Sequence, residues 1–295
     1  MLCKKCNKQV SLLDDRCPHC GNDFTKVDIE KRYIDIQKPK WIIDLENRWG
    51  DRSSLAQSFE DEEGDKRGWK EIKLNEIKEM VFANPFVEEN QEYRGKTGET
   101  TFYYDKENMQ VNAFVPHKKR KIIFCDGYLN YLFAVETIFK HRFYDKLTLL
   151  SKTLFDNKFS FPFEEISEVT DYEPDQDIIR NGFISSFETI AHELGHSCLD
   201  HIFTLRDNLD VSRNLERQAD EFAASVIASS CFNDKLFSCH IKSCVAWAVV
   251  EKDGGIVEPG THPLALERLK NAIRNNSELA GGLGLDENWV TKVFG

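Results

Sequence analysis

The chain has 295 residues, of which 41% are hydrophobic and 12% aromatic, so it can fill a sizeable core and is not a disordered protein. Its formal net charge of −11 argues against nucleic-acid binding by the whole molecule. The sequence has no run of about 18 apolar residues and no apolar N-terminal segment typical of a signal peptide. We therefore expect a soluble, cytoplasmic protein without a membrane span.

Residues 1–26 contain two cysteine pairs with the spacing of a metal site. Cys3 and Cys6 form one Cys-x-x-Cys pair, and Cys17 and Cys20 form the other after ten intervening residues. Each pair can make a tight turn that directs two sulfurs at one ion, and a proline and a glycine favour that turn in the second pair. We predict a small zinc ribbon that needs its metal to fold, with an iron–sulfur site as the alternative.

The segment after the ribbon, 27–66, is rich in charge and has no sustained hydrophobic period, which predicts a charged linker or an exposed helical arm. Apolar spacing from Trp69 to Val81 then fits a helix that ends before Asn84-Pro85. Three β segments are predicted next: a hairpin over Tyr93–Tyr104 and strands over Met109–Val115 and Lys121–Cys125. The basic residues between the last two strands predict a solvated turn, with nucleic-acid contact as the alternative.

Helical patterns dominate the rest of the chain, at 128–140, 183–203, 213–230, 234–250 and 262–275. Residues 141–182 are acidic and rich in phenylalanine, and no period assigns them a structure, so we treat them as a candidate insert or lid. The five cysteines outside the ribbon lie in mostly apolar segments, which favours free thiols in a reducing cytosol.

A His-Glu-x-x-His sequence, His192 to His196, lies within the apolar pattern of one of these predicted helices. Because residues i and i+4 share a helical face, both imidazoles can bind one zinc ion. Glu193 is displaced around the helix, so it can hold the water that zinc activates and take its proton as general base. His201 lies off the ligand face, and we expect it to cap or pack the end of the helix.

A catalytic zinc needs a third protein ligand. The metzincin pattern is excluded, because Ile202 and Leu199 stand where that class has histidine and glycine. Glu216 and Asp220 share one face of the next predicted helix, which can turn back antiparallel to the first. We predict that Glu216 completes the zinc site and that Asp220 bonds the distal nitrogen of a ligand histidine. Glu221 is a competing ligand, and a surface position for Glu216 is the alternative.

Other segments form an ordered set around these ligands: Asn112-Ala-Phe114 followed by Asp126-Gly-Tyr-Leu129, then Glu216-x-x-Ala-Asp220, then Thr261-His-Pro263 with Arg268. Together with His-Glu-x-x-His, this set resembles the gluzincin metallopeptidase family of the CAAX prenyl protease and HtpX. The resemblance implies an α+β fold, a mainly helical zincin-like metallopeptidase domain with a small edge sheet. We expect that domain to span 67–295.

The resemblance also implies roles for two residues outside the zinc ligands. Asn112 would lie on an edge strand that receives the substrate in an extended conformation, and His262 would donate to the developing oxyanion. Each has an alternative: Asn112 orders a turn, or His262 caps the helix that begins at Pro263. Many members of that family are embedded in membranes, whereas this chain has no predicted membrane span. The substrates of those members are therefore not expected to be the substrates of this protein.

Three functions follow from these patterns. The leading hypothesis is a zinc endopeptidase with one catalytic and one structural zinc, which acts on a protein or peptide and uses the ribbon to bind a protein partner. The second is a regulatory or nucleic-acid-binding ribbon protein whose peptidase-like domain is a scaffold. The third is a stress or phage-defence protease that cleaves a specific repressor or host protein.

Overall fold

The structure is a computed structural model that describes Cys20 and residues 68–142, 145–204, 208–230, 233–254 and 264–282. The chain divides into two compact units, one of residues 1–66 with 276–295 and one of Arg67–Asn275. The predicted linker and the predicted ribbon apart from Cys20 lie outside the described residues, as does His262.

The larger unit is mostly helical. Its described elements are α1 (Gly68–Phe82), α2 (Pro85–Glu88), α3 (Gln91–Glu99), β1 (Thr101–Asp105), β2 (Ala113–Phe114), β3 (Lys121–Cys125), α4 (Asp126–His141), α5 (Lys146–Asp156), α6 (Glu165–Thr170), α7 (Gln176–Cys198), a 3₁₀ turn (His201–Phe203), α8 (Leu209–Ala228), α9 (Asn233–Asp253) and α10 (Ala265–Asn275). In the smaller unit, α11 spans Ser277–Gly282. The predicted helices are therefore confirmed where the structure describes them, with ends that differ by up to seven residues.

The sheet has three strands in the order β1-β3-β2. Thr101 lies opposite Lys121 in a parallel pairing of β1 with β3, whereas β2 pairs antiparallel with β3. A parallel pair needs a long crossover, and residues 106–120 supply it. Consequently β2 is an edge strand, two residues long where the sequence predicted seven.

The predicted hairpin over Tyr93–Tyr104 is wrong. Its first half is helix α3, because the Asn90 side chain caps the helix by accepting hydrogen bonds from the amides of Glu92 and Tyr93. Gly95 lies within this helix and costs it some stability, but it does not break it. The second half is strand β1, which pairs with β3 instead of with its neighbour in sequence.

Helix α7 lies at the centre of the larger unit and contacts α1, α4, α8 and α9. Every residue from Gly182 to Cys198 is buried, as expected of a helix that is packed on all sides. The Asp175 side chain caps the helix by accepting a hydrogen bond from the Ile178 amide. This cap starts α7 seven residues before the predicted start at 183.

Residues 141–182, which the sequence left unassigned, contain α5, α6 and the first turns of α7. Leu147, Leu150 and Leu154 are buried on one face of α5, which packs against α9. The role of residues 141–182 as an insert or lid stays a prediction. Among the described helices, none is both long and apolar enough to cross a membrane.

Candidate metal centre

Helices α7 and α8 run antiparallel and in close contact at the His-Glu-x-x-His sequence. The direction follows from the contacts, since His192 lies beside Asp220 and His196 lies beside Glu216. Gly195 makes the approach possible, because a Cβ atom there would lie 3.1–3.2 Å from atoms of the Phe222 side chain. Ala219 on α8 is fully buried, and its small side chain suits the same close packing.

The approach of α8 brings three side-chain atoms together. His192 Nε2 lies 3.1 Å from His196 Nε2 and 3.1 Å from Glu216 Oε2, and His196 Nε2 lies 3.3 Å from the same carboxylate oxygen. All three residues are buried, and Glu216 is 1% exposed. Glu216 is therefore not a surface carboxylate, whereas Glu221 is exposed and lies outside this group.

The triangle formed by His192 Nε2, His196 Nε2 and Glu216 Oε2 has the dimensions of one face of a zinc coordination tetrahedron. Ligand atoms at about 2.0–2.1 Å from zinc in tetrahedral geometry are separated by roughly 3.3–3.4 Å. The observed separations of 3.1–3.3 Å are within 0.3 Å of that range. Two imidazoles and one carboxylate are also a donor set that zinc accepts, and three protein ligands leave one position open. The residues present therefore fit a catalytic zinc.

The charge of the site favours a cation as well. Burial by itself would raise the pKa of Glu216, but hydrogen bonds and electrostatic attraction from His192 and His196 hold it well below its usual range. Burial likewise disfavours a charged His192, yet its hydrogen bonds with Asp220 and Glu216 raise its pKa well above the ordinary value. A buried carboxylate with a lowered pKa needs a positive partner, which is either a protonated imidazole or a metal ion.

Asp220, on α8, lies behind His192. Its Oδ1 atom lies 2.8 Å from His192 Nδ1, the ring nitrogen that faces away from the triangle. Arg268 on α10 donates two hydrogen bonds to the same carboxylate, 3.0 Å from Nε to Oδ2 and 2.7 Å from Nη2 to Oδ1. The Arg268 guanidinium also lies 3.5 Å from Glu188, one turn before His192 on α7. A carboxylate fixed by a guanidinium thus orients the first candidate ligand.

A different residue stands behind His196. Nδ1 of this ring lies 3.0 Å from Nδ1 of His201, and Nε2 of His201 lies 2.9 Å from Oε1 of Gln218 on α8. His201 is buried in the turn that follows α7, as expected of a residue that packs against the helix end, and its ring in addition contacts a candidate ligand. The helix predicted over 183–203 ends at Cys198, and residues 201–203 form the separate 3₁₀ turn, which turns the imidazole back toward α7.

Two positively charged side chains hydrogen-bond to the C-terminal end of α7. Arg120 donates to the Ser197 carbonyl and lies 2.5 Å from Asp200, and Lys96 donates to the Cys198 carbonyl at 2.8 Å. Positive charge at the last carbonyls of a helix is favourable. Arg120 was predicted to lie in a solvated turn, whereas it is partly buried and supports the helix that carries the candidate ligands.

The remaining predicted site residues differ in how the structure places them. Glu193 is buried, 6% exposed, directly after the first candidate ligand. Asn112 is exposed and precedes the edge strand β2, and its carbonyl accepts a hydrogen bond from the Cys125 amide at 3.2 Å. Cys20 is half-buried, and the other three ribbon cysteines lie outside the described residues, so no described geometry bears on the ribbon.

Comparison with known proteins gives one family. A model of the family described as peptidase U49 matches residues 156–280, a region that contains the whole triangle, Glu193, Asp220 and Arg268. The match supports a peptidase, and therefore a protein or peptide substrate, without singling out the CAAX prenyl protease and HtpX family. Separate searches of curated proteins and of solved structures find no match.

Proposed function

We propose that this protein is a zinc-dependent endopeptidase in which His192, His196 and Glu216 bind the catalytic ion. The observation that carries the proposal is the buried triangle of two imidazole nitrogens and one carboxylate oxygen, 3.1–3.3 Å apart. The peptidase family match across the same residues supports hydrolysis of a peptide bond as the reaction.

The chemistry divides between the metal and the chain. Zinc, when bound, lowers the pKa of water to about 7 and polarises a carbonyl as a Lewis acid. Glu193 is the proposed general base, which accepts a proton from the attacking water and returns it to the leaving amine. Its place directly after His192 on the same buried helix supports this role, because it brings the carboxylate close to the candidate metal position. Asp220 and Arg268 hold His192 in position.

Substitution of the proposed base tests the mechanism. We expect Glu193→Gln to keep its catalytic zinc and to lose cleavage by about 10²–10⁴-fold, the usual contribution of general base catalysis. Glu221→Gln is the matched control, since it makes the same change at an exposed position outside the triangle. Hydrolysis of a casein or peptide-library substrate and zinc content are measured on the same samples. Full activity of Glu193→Gln would remove Glu193 as the base.

The physiological substrate can be sought with the same variant. A Glu193→Gln protein that binds substrate without cleaving it can be used to recover bound polypeptides from a lysate, with the double variant Glu193→Gln, His192→Ala as the control. Recovery of one predominant polypeptide would favour a specific protease. Recovery of nucleic acid without polypeptide would favour the ribbon protein with a scaffold domain.

Asn112 and His262 are proposed to contact substrate. For Asn112 the support is its exposure immediately before an edge strand, where a peptide in extended conformation finds unpaired backbone groups. For His262 the support is the resemblance in sequence alone.

A second, structural zinc is proposed for the ribbon cysteines Cys3, Cys6, Cys17 and Cys20. We expect close to two zinc ions per chain by elemental analysis. Cys3→Ser should lose one of them and keep part of the peptidase activity, because that ion lies outside the catalytic set. A Cys3→Ser protein with unchanged zinc content would contradict the ribbon.

A further inference from the structure

The two histidines of the triangle are supported by groups of different chemistry. His192 Nδ1 faces the carboxylate of Asp220, which accepts hydrogen bonds from Arg268. His196 Nδ1 faces another imidazole, that of His201, which is 2% exposed and lies in the 3₁₀ turn directly after α7. An imidazole, unlike a carboxylate, can be either donor or acceptor, so the direction of this second hydrogen bond has to be set by something else.

The direction follows from the metal on one side and from the next hydrogen bond, between His201 and Gln218, on the other. A metal at the triangle needs the lone pair of His196 Nε2, so the proton of that ring must be on Nδ1. His196 Nδ1–H then donates across 3.0 Å, which requires a lone pair on His201 Nδ1 and places the proton of His201 on Nε2. That Nε2–H needs an acceptor, and Gln218 Oε1 lies 2.9 Å away.

The reverse arrangement is incompatible with a metal. If Gln218 presented its amide NH₂ to His201, the proton of His201 would be on Nδ1 and would point at His196 Nδ1. The proton of His196 would then be on Nε2, the atom that lies 3.1 Å from His192 Nε2 and 3.3 Å from Glu216. We call the hydrogen-bonded series His196, His201 and Gln218 the relay. Only when each member donates to the next, from His196 to Gln218, can the triangle bind a cation.

We propose that His201 and Gln218 are positioning residues that fix the tautomer of His196, so that the Nε2 lone pair of His196 faces the metal. The inference rests on the proposed zinc site and adds residues that the His-Glu-x-x-His and Glu-x-x-x-Asp patterns do not contain. Because a carboxylate lies behind His192 and an imidazole lies behind His196, His192 should be the stronger electron donor to the metal and His196 the weaker.

Zinc affinity of the full chain tests the relay, measured by competition with a chromophoric chelator and counting only the zinc that His192→Ala loses. His201→Phe keeps the ring volume and removes the acceptor, and it should weaken binding by about 10–100-fold. His201→Gln restores an acceptor oxygen and should recover most of that loss. Ile202→Val is the control for disturbance of the turn, since Ile202 is buried in the same turn and should leave the affinity unchanged.

The tautomer itself is the second readout, and in the wild-type protein it does not depend on how well any variant folds. In the zinc-loaded wild-type protein with ¹⁵N-labelled histidine, two-bond ¹H–¹⁵N correlations should show His201 protonated at Nε2 only. Gln218 is exposed, so Gln218→Glu, an acceptor that cannot donate when ionised, should fold normally and preserve this pattern.

The outcomes separate the relay from the proposed function. If His201 carries its proton on Nδ1, or if His201→Phe binds zinc as tightly as the wild type, the relay is wrong while the zinc site stands. If His201→Gln is as weak as His201→Phe although both melt like the wild type, the acceptor role is also wrong. If no zinc is lost on His192→Ala, the proposed function and the relay are both overturned.

Discussion

A buried ion pair joins the first helix of the larger unit to its sheet and to α4. Lys70 on α1 lies 2.7 Å from Asp126, the first residue of α4, and each residue is 5% exposed. Tyr104 and Asn130 also donate to the Asp126 carboxylate. Burial lowers the pKa of Lys70 below its ordinary value, and its attraction to Asp126 opposes that shift. The pair is therefore desolvated, and its burial determines how much stability is lost when one partner is removed.

We expect Lys70→Met to destabilise the larger unit strongly. Methionine keeps most of the side-chain volume and removes the charge, which leaves the Asp126 carboxylate buried with only a hydroxyl and an amide as donors. Loss of one partner from a buried pair costs about 3–5 kcal/mol. For a unit of this size each kcal/mol corresponds to about 2–4 °C in Tm, so the melting temperature should fall by roughly 6–20 °C.

Lys146→Met is the matched control, because it makes the same substitution in an equally short pair. Lys146 lies 2.6 Å from Asp171, but the Asp171 side chain is 67% exposed. Water screens this pair, so its loss should leave the melting curve unchanged within error. Calorimetry or circular dichroism on metal-free and zinc-loaded samples measures both variants. Equal effects of the two substitutions would refute the reasoning, since distance and not burial would then govern the energy.

Two further predictions concern the metal centre. Asp220→Ala should weaken zinc binding by about 10–100-fold in a chelator competition, whereas Glu221→Ala should leave it unchanged, because only Asp220 bonds a candidate ligand. Zinc binding should also release a proton at pH 7. Burial disfavours a charged His192, but hydrogen bonds with Asp220 and Glu216 raise its pKa well above the ordinary value, so the metal must displace the proton of that imidazole. Affinity should therefore fall as the pH is lowered, and calorimetry in two buffers of different ionisation enthalpy counts the protons. A binding enthalpy independent of the buffer would contradict this.

Local patterns predicted most of the helices because burial on one face leaves a period in the sequence. The i and i+4 spacing of His192 and His196 puts both rings on one face wherever that helix lies. The same logic placed Glu216 and Asp220 on a shared face. It failed at Tyr93–Tyr104, where two glycines suggested a turn and a cap at Asn90 started a helix. Strand β1 was predicted with the wrong partner, because parallel pairing joins segments that no local period connects.

The sequence by itself determined the donor types, their helical spacing and the candidate base, since these depend only on residue identity and the period of a helix. The tertiary structure decided which nitrogens and oxygens meet within 3.3 Å, because that depends on how closely α8 packs against α7 at Gly195. It also brought Arg268, 48 residues along the chain, onto Asp220 and turned His201 toward His196. Contacts between distant segments arise from packing, and packing leaves no spacing that a single sequence displays.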